Sequence, residues 1–317
     1  MKAWLGFSPV ACQSSNAGSK YPILVKLSSP LRYPGGKASL TGFFRRVIGV
    51  NALEGCSYYE PYAGGSGAAL GLLGEDMVSE VFINDADERI YAFWHSVLND
   101  RNRFVDKIFS VPLTIEEWYR QRDICLRSRG QRRFDVGFAA FFMNRCNRSG
   151  VIAGAGPIGG FEQKGAWRLD VRFSRGPLAE RVLSVANLRQ RINVSCMDAL
   201  EFLRKRLPKG RQRRRSLVYL DPPYVVKGQR LYLNSYAAKD HAALAKFMQR
   251  QKTLPWLMSY DDTDLIRTLY SRQSIARLPI RYSLQEKRAA EELLIYPTHL
   301  AVPKIEVAIS GEVRHSI

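Results

Sequence analysis

A chain of 317 residues, 46% hydrophobic and 24% charged, has the composition of a folded protein able to bury a full core. Its 48 Lys and Arg against 29 Asp and Glu leave a net charge of +19, which points to nucleic acid or another polyanion as partner. No apolar run approaches the roughly 20 residues of a membrane span, and five scattered cysteines and four distant histidines without CxxC or ligand spacing indicate neither a metal site nor a disulfide framework.

The start carries one Lys and a short apolar patch broken by Gly6, Ser8 and Pro9, too weak for a secretion signal. Residues 1–30 read as a poorly ordered extension, and reduced thiols suit a cytoplasmic setting. From Leu31 a Pro-Gly-Gly turn leads into an amphipathic helix with Leu40, Phe43, Phe44 and Val47 on one side. A short strand through Tyr58 and Tyr59 meets a glycine turn at Gly64, Gly65 and Gly67, then a small-residue helix. A second strand, Val81 to Ile83, ends in the acidic turn Asn84 to Asp87 and another helix. This is the rhythm of a parallel α/β sheet.

The rhythm breaks over 96–191, which read as a basic, mainly helical insert with a glycine-rich loop or hairpin at 147–173. A loop of that length in a compact domain is usually functional. Strands resume at Ile192 to Ser195, before Asp198, and at Leu217 to Leu220. A helix over His241 to Gln251, a strand at 256–260, a helix at 263–270 and strands near EELLIYP and KIEVAIS complete the count. The catalytic unit is then 31–95 plus 192–317.

Several strands end in polar or glycine turns, and in open α/β sheets ligands bind at that rim. EPYAGGSG lets a ligand approach the backbone in front of a helix N-terminus, yet it is neither a Walker loop nor a GxGxxG. Asp85, at the next strand end, is placed either to accept from ribose hydroxyls or to cap the following helix. Asp221-Pro222-Pro223-Tyr224 stops an apolar strand with two residues that cannot donate to a sheet. The Asp221 carboxylate and the Pro222 carbonyl offer two rigid acceptors beside an aromatic face, which suits a planar ring with an exocyclic amine.

The motifs LRYPGGK, EPYAGGSG, NDAD, CMDALEFL and DPPY, in that order, resemble those of the Dam-type (alpha-class, D12) N6-adenine DNA methyltransferases over about residues 31–310. The resemblance implies a Rossmann-like S-adenosylmethionine-dependent sheet with an inserted DNA-recognition domain. S-adenosyl-L-methionine would meet Tyr33, Lys37, Glu60, Pro61, Gly64 and Gly67, with its ribose on Asp85 and its adenine amine on Asp198. Asp221 and Pro222 would hold the target N6, with Pro223 and Tyr224 completing the catalytic motif and Tyr224 stacking on the flipped base.

The insert would contact double-stranded DNA through Asn144, Arg145, Asn147, Arg148, Lys164 and Arg168, unless some of these cap helices. The Tyr-Asn-Gly pattern that accompanies GATC recognition is missing from FFMNRCNRSG, which puts that target in doubt. The expected enzyme is a monomeric, cytoplasmic, nucleoid-associated one of prokaryotic or phage origin, without metal or membrane, acting alone or with a cognate restriction or defence system. Cytosine-N4, RNA or protein-glutamine methylation, and an inactive DNA-binding relative, are the competing readings. Cytosine-C5 chemistry is excluded because none of the cysteines follows a proline. The densest basic run, 204–215, precedes its strand and so falls roughly 13 Å or more from Asp221, on the wrong rim for base reading.

Overall fold

The computed structural model describes residues 27–32, 36–225, 236–281 and 289–304. The chain forms α1 (Thr41–Val50), β1 (Cys56–Glu60), α2 (Gly67–Gly74), β2 (Val78–Asn84) and α3 (Glu88–Asn99). Four helices follow: α4 (Arg101–Ser110), α5 (Ile115–Leu126), α6 (Arg133–Cys146) and α7 (Arg175–Ala186). Then come β3 (Ile192–Ser195), α8 (Ala199–Arg206), β4 (Ser216–Leu220), α9 (Ala238–Gln249), β5 (Trp256–Asp261), α10 (Asp264–Leu269), β6 (Ser274–Arg281) and β7 (Ala289–Tyr296).

The seven strands lie in the order β3-β2-β1-β4-β5-β7-β6. The first five are parallel, and β7 runs antiparallel to both β5 and β6. This is a Rossmann-like sheet, and its winding direction reverses between β1 and β4. In such sheets a crevice opens at the carboxyl ends of the strands flanking that reversal.

Alternate strand residues feed two separate cores. Tyr58, Leu217, Tyr219, Leu257 and Leu294 pack with α1 to α7 on one face. Tyr59, Val218, Leu220, Met258 and Ile295 pack with Phe202 of α8, Leu244 of α9 and Ile266 of α10 on the other. Strands buried on both faces read as continuous apolar runs, which is why LVYL and WLM are recognisable in the sequence.

The helical insert has no core of its own. Phe104, Trp118, Phe138, Phe141 and Phe173 belong to the same apolar cluster as Val81 and Tyr58 of the sheet. A Cβ on Gly137 of α6 would overlap the Ala92 carbonyl of α3, so glycine lets these helices approach closely. The loop after α6 is anchored by one antiparallel bridge, Asn147 to Pro157, and by Ile158 N–H to the Cys146 carbonyl at 2.8 Å.

Two details differ from the sequence reading, and one expected strand falls outside the described residues. Leu27 is buried in the main core, so the folded body begins before residue 31. Strand β6 carries Pro279 within SIARLPIR, a pattern that reads poorly as a strand; the sheet accommodates it at the edge, where β6 pairs with β7 alone. KIEVAIS lies, apart from Lys304, outside the described residues.

Candidate active site

The cavity at the sheet reversal measures about 520 Å³ and runs from the glycine turn after β1 to the end of β4. The glycine turn is shaped by two positive-φ residues, Gly64 at 45° and Ser66 at 44°. A serine in the left-handed region costs on the order of 1 kcal/mol, and such strain concentrates at binding turns. Gly67 starts α2 against the short helical turn Lys37–Leu40 ahead of α1, and a Cβ there would lie 2.8 Å from Ala38 Cβ.

Asp85, at the end of β2, locks this turn by accepting from Gly64 N–H at 2.9 Å through Oδ2 and from Asp87 N–H at 2.9 Å through Oδ1. Burial pushes its carboxyl up to about 6. The cap of α3 is Asp87, which accepts from Arg89 N–H at 2.9 Å. Of the two roles open to Asp85, capping therefore falls to its neighbour.

Asp198 caps α8, accepting from Leu200 and Glu201 N–H groups through Oδ1, while remaining exposed on the cavity wall. Glu60, at the end of β1, is buried, accepts from Tyr58 OH at 3.0 Å, and is pushed up to about 8 by burial. Pro61 also lines the cavity. Tyr33 lies outside the described residues.

At the other end, Asp221 leaves the end of β4 with both oxygens engaged. Its Oδ1 accepts from Ser259 Oγ at 2.6 Å and from Tyr224 OH at 3.2 Å. Its Oδ2 lies 2.9 Å from Lys37 Nζ, whose ammonium also reaches Tyr224 OH at 3.1 Å and Glu292 Oε2 at 3.6 Å. Burial alone would lower the Lys37 pKa, but Asp221 and Glu292 outweigh it and hold it above its ordinary value. Pro223 lines the cavity, and Pro222 is buried. A carboxylate oxygen has room for two hydrogen bonds, so Asp221 Oδ2 can still take a donor from the cavity.

Four residues that the sequence reading gave no role organise this site. Asn84 donates to the carbonyls of Pro61 and Met197, both at 3.0 Å, and accepts from Ser195 Oγ at 2.9 Å and Met197 N–H at 3.0 Å. It ties the ends of β1, β2 and β3 into one floor. Ser259 orients Asp221 and is itself bonded to Tyr219 OH at 2.8 Å. Glu292 is fully buried beside Lys37. Tyr236 closes the cavity wall and shares a 2.7 Å hydrogen bond with Tyr62.

The expected DNA contacts divide sharply. Asn144 is buried and bonds the Arg32 N–H and carbonyl and the Gly150 carbonyl. Arg145 is buried on the Pro30 carbonyl, and burial lowers its pKa to about 9. Asn147 accepts from Trp118 Nε1–H at 2.7 Å and donates to the Val151 carbonyl at 2.7 Å. Asn144 and Arg145 tie the insert to the segment Pro30–Arg32, and Asn147 ties α5 to the loop after α6, so all three are buried and engaged within the fold. Arg148, Lys164 and Arg168 are exposed, as are the aromatics Tyr119, Phe161 and Trp167 nearby in the insert. Arg122 lies over the Tyr119 ring at 4.8 Å.

A family model described as D12 class N6 adenine-specific DNA methyltransferase matches residues 33–284, well over half of the chain. No curated protein matches the chain. Among solved structures, SMU.472, assigned as a methyltransferase and complexed with SAH, is similar at 15% identity and a TM-score of 0.26. That match covers 38% of this chain and 28% of that chain.

Proposed function

Because the chain belongs to the D12 class N6 adenine-specific DNA methyltransferase family, we propose that it transfers a methyl group from S-adenosyl-L-methionine to N6 of an adenine flipped out of double-stranded DNA. When bound, the cofactor supplies a methyl on a sulfonium sulfur, which keeps the bond's electron pair as the N6 lone pair forms the new N–C bond. The cavity suits such a ligand in size, in its glycine cradle at Gly64 and Gly67, and in the acids Asp85 and Asp198 on its wall. Asp85 would accept from the ribose hydroxyls and Asp198 from the adenine amine, with Lys37, Glu60 and Pro61 along the remaining wall.

An exocyclic amine is a weak nucleophile because its lone pair is delocalised into the ring. Asp221 accepts one N6 hydrogen and the Pro222 carbonyl the other, which frees the lone pair for attack. Tyr224 supports the base, and Asp221 is the base nearest to the proton that N6 releases. Positioning and fixed charge supply the acceleration, with no covalent enzyme intermediate. Unstacking the target costs a few kcal/mol. The exposed Arg148, Lys164 and Arg168, with Phe161 and Trp167, are the groups of the insert that offset it through phosphate and base contacts.

The observation that carries this reading is one continuous cavity joining the Gly64–Asp85 turn to Asp221. The test is digestion of duplex DNA after incubation with the protein and labelled cofactor. N6-methyladenine is the expected nucleoside, and N4-methylcytosine in its place would overturn the assignment.

A further inference from the structure

Half-buried Asp221 and the buried Lys37 and Glu292 form a charge triad of which the proposed roles use two. Lys37 is 7% exposed and Glu292 fully buried, with the ammonium between Asp221 Oδ2 at 2.9 Å and Glu292 Oε2 at 3.6 Å. Glu292 stands on β7 in register with Asp261 of β5, so two strands bring it to the same rim as Asp221. Burying a carboxylate is costly unless a cation compensates it, and one carboxylate would already suffice for Lys37.

The second carboxylate has an electrostatic consequence. The target amine gains positive charge as it attacks. A Lys37–Asp221 pair alone is neutral and offers that charge only the field of a dipole, weaker than that of a net negative charge. Two carboxylates around one ammonium leave a net negative charge, and Asp221 is the member that lines the cavity.

We propose that Glu292 is a positioning residue that balances the charge of Lys37 and holds its ammonium, so that Asp221 keeps its negative charge for the incoming amine. The inference rests on the amino-methylation reading above. Two other acids stand close. Asp261 accepts from Val225 N–H at 3.0 Å, and burial pushes the Glu60 carboxyl up to about 8. Both are unchanged in the variants below, so they cancel from the comparison.

The test is a charge cycle with Glu292→Gln, Lys37→Met and the double variant, in single-turnover methylation at saturating cofactor and DNA. Removing one charge contact in a partly screened site predicts a loss of about 100-fold in rate for Glu292→Gln. Uniform binding is not what the charge supplies, so the KM for DNA should move less than about 3-fold. The double variant restores one net negative charge and should regain about 10-fold over Glu292→Gln.

A second readout is independent of turnover. In nitrogen-15 NMR of lysine side chains, the Lys37 ammonium should titrate at lower pH in Glu292→Gln and exchange its hydrogens faster. Losses that add in the double variant, or an unmoved Lys37 titration, would overturn the proposal and leave Glu292 a packing residue. A wild-type chain that forms no N6-methyladenine would instead sink the underlying reading, and the NMR arm would still decide whether Glu292 sets the state of Lys37.

Discussion

The two rims of the sheet carry charge in opposite ways. At the carboxyl ends of the strands Lys37, Glu60 and Glu292 are buried, and Asp85 and Asp221 are hydrogen-bonded at the cavity wall. At the amino ends the run 204–215 holds eight Lys and Arg and no acid. There Lys205 pairs with Glu201 and Arg213 donates to Gln251, while Arg206, Lys209, Arg211, Arg214 and Arg215 are exposed without an ion pair among the described residues. A buried charge must be held by designed contacts, whereas a solvated one costs almost nothing. Charge density along this chain therefore marks solvent, and single acids at strand ends mark the proposed site.

The sharpest way to break this contrast is at Asp221. Asp221→Ala removes the proposed amine acceptor and should lower the methylation rate by about 1000-fold, with cofactor affinity by calorimetry largely kept. Near-normal turnover in that variant would remove the distinction between the rims. The next effect in size is at Asn84. Asn84→Ala leaves the carbonyls of Pro61 and Met197 and the N–H of Met197 without their partner, which should cost about 3 kcal/mol of stability. Thermal unfolding and cofactor titration should weaken together, because one side chain floors both β1 and β3.

Much of the catalytic rim is legible in the sequence because acids and prolines that end apolar strands violate local pattern. Asp221 and Asp85 announce themselves in this way. Asn84 does not, since an asparagine in NDAD looks like an ordinary turn residue and its four bonds reach Pro61, Ser195 and Met197. Glu292 is hidden for a different reason. Its direction depends on the register of β7 against β5, which EELLIYP does not encode locally. The same limit reverses the reading of Asn144, Arg145 and Asn147. Polar residues at the end of α6 look like surface until Pro30, Arg32 and Trp118 are brought against them.

Asp85 sharpens the comparison through pH. Its carboxyl is pushed up to about 6 by burial, so it is charged at pH 7 and protonated at pH 5. If ribose hydroxyls bind the charged form, cofactor affinity should fall about 10-fold between pH 7 and pH 5. Asp85→Asn should be weaker at pH 7 and flat over that range in calorimetry. Folding has the opposite sign. A carboxyl whose pKa is raised in the folded state holds its proton more tightly there, so its contribution to stability is full at low pH and is lost as pH rises through about 6.

The smallest expected effect belongs to the basic rim. The five residues of β4 set it about 17 Å from Asp221, well beyond the Debye length of about 8 Å at physiological salt. Replacing Lys209, Arg211 and Arg214 together by serine should change the methylation rate on a short duplex by less than about 2-fold. The same variant should reduce the salt dependence of binding to long non-specific DNA by up to about 3 in logarithmic slope if all three meet phosphates, and by nothing if they are merely solvated. A large loss of rate on the short duplex would mean that the opposite rim takes part in the chemistry, and burial would then no longer separate functional charge from solvated charge in this fold.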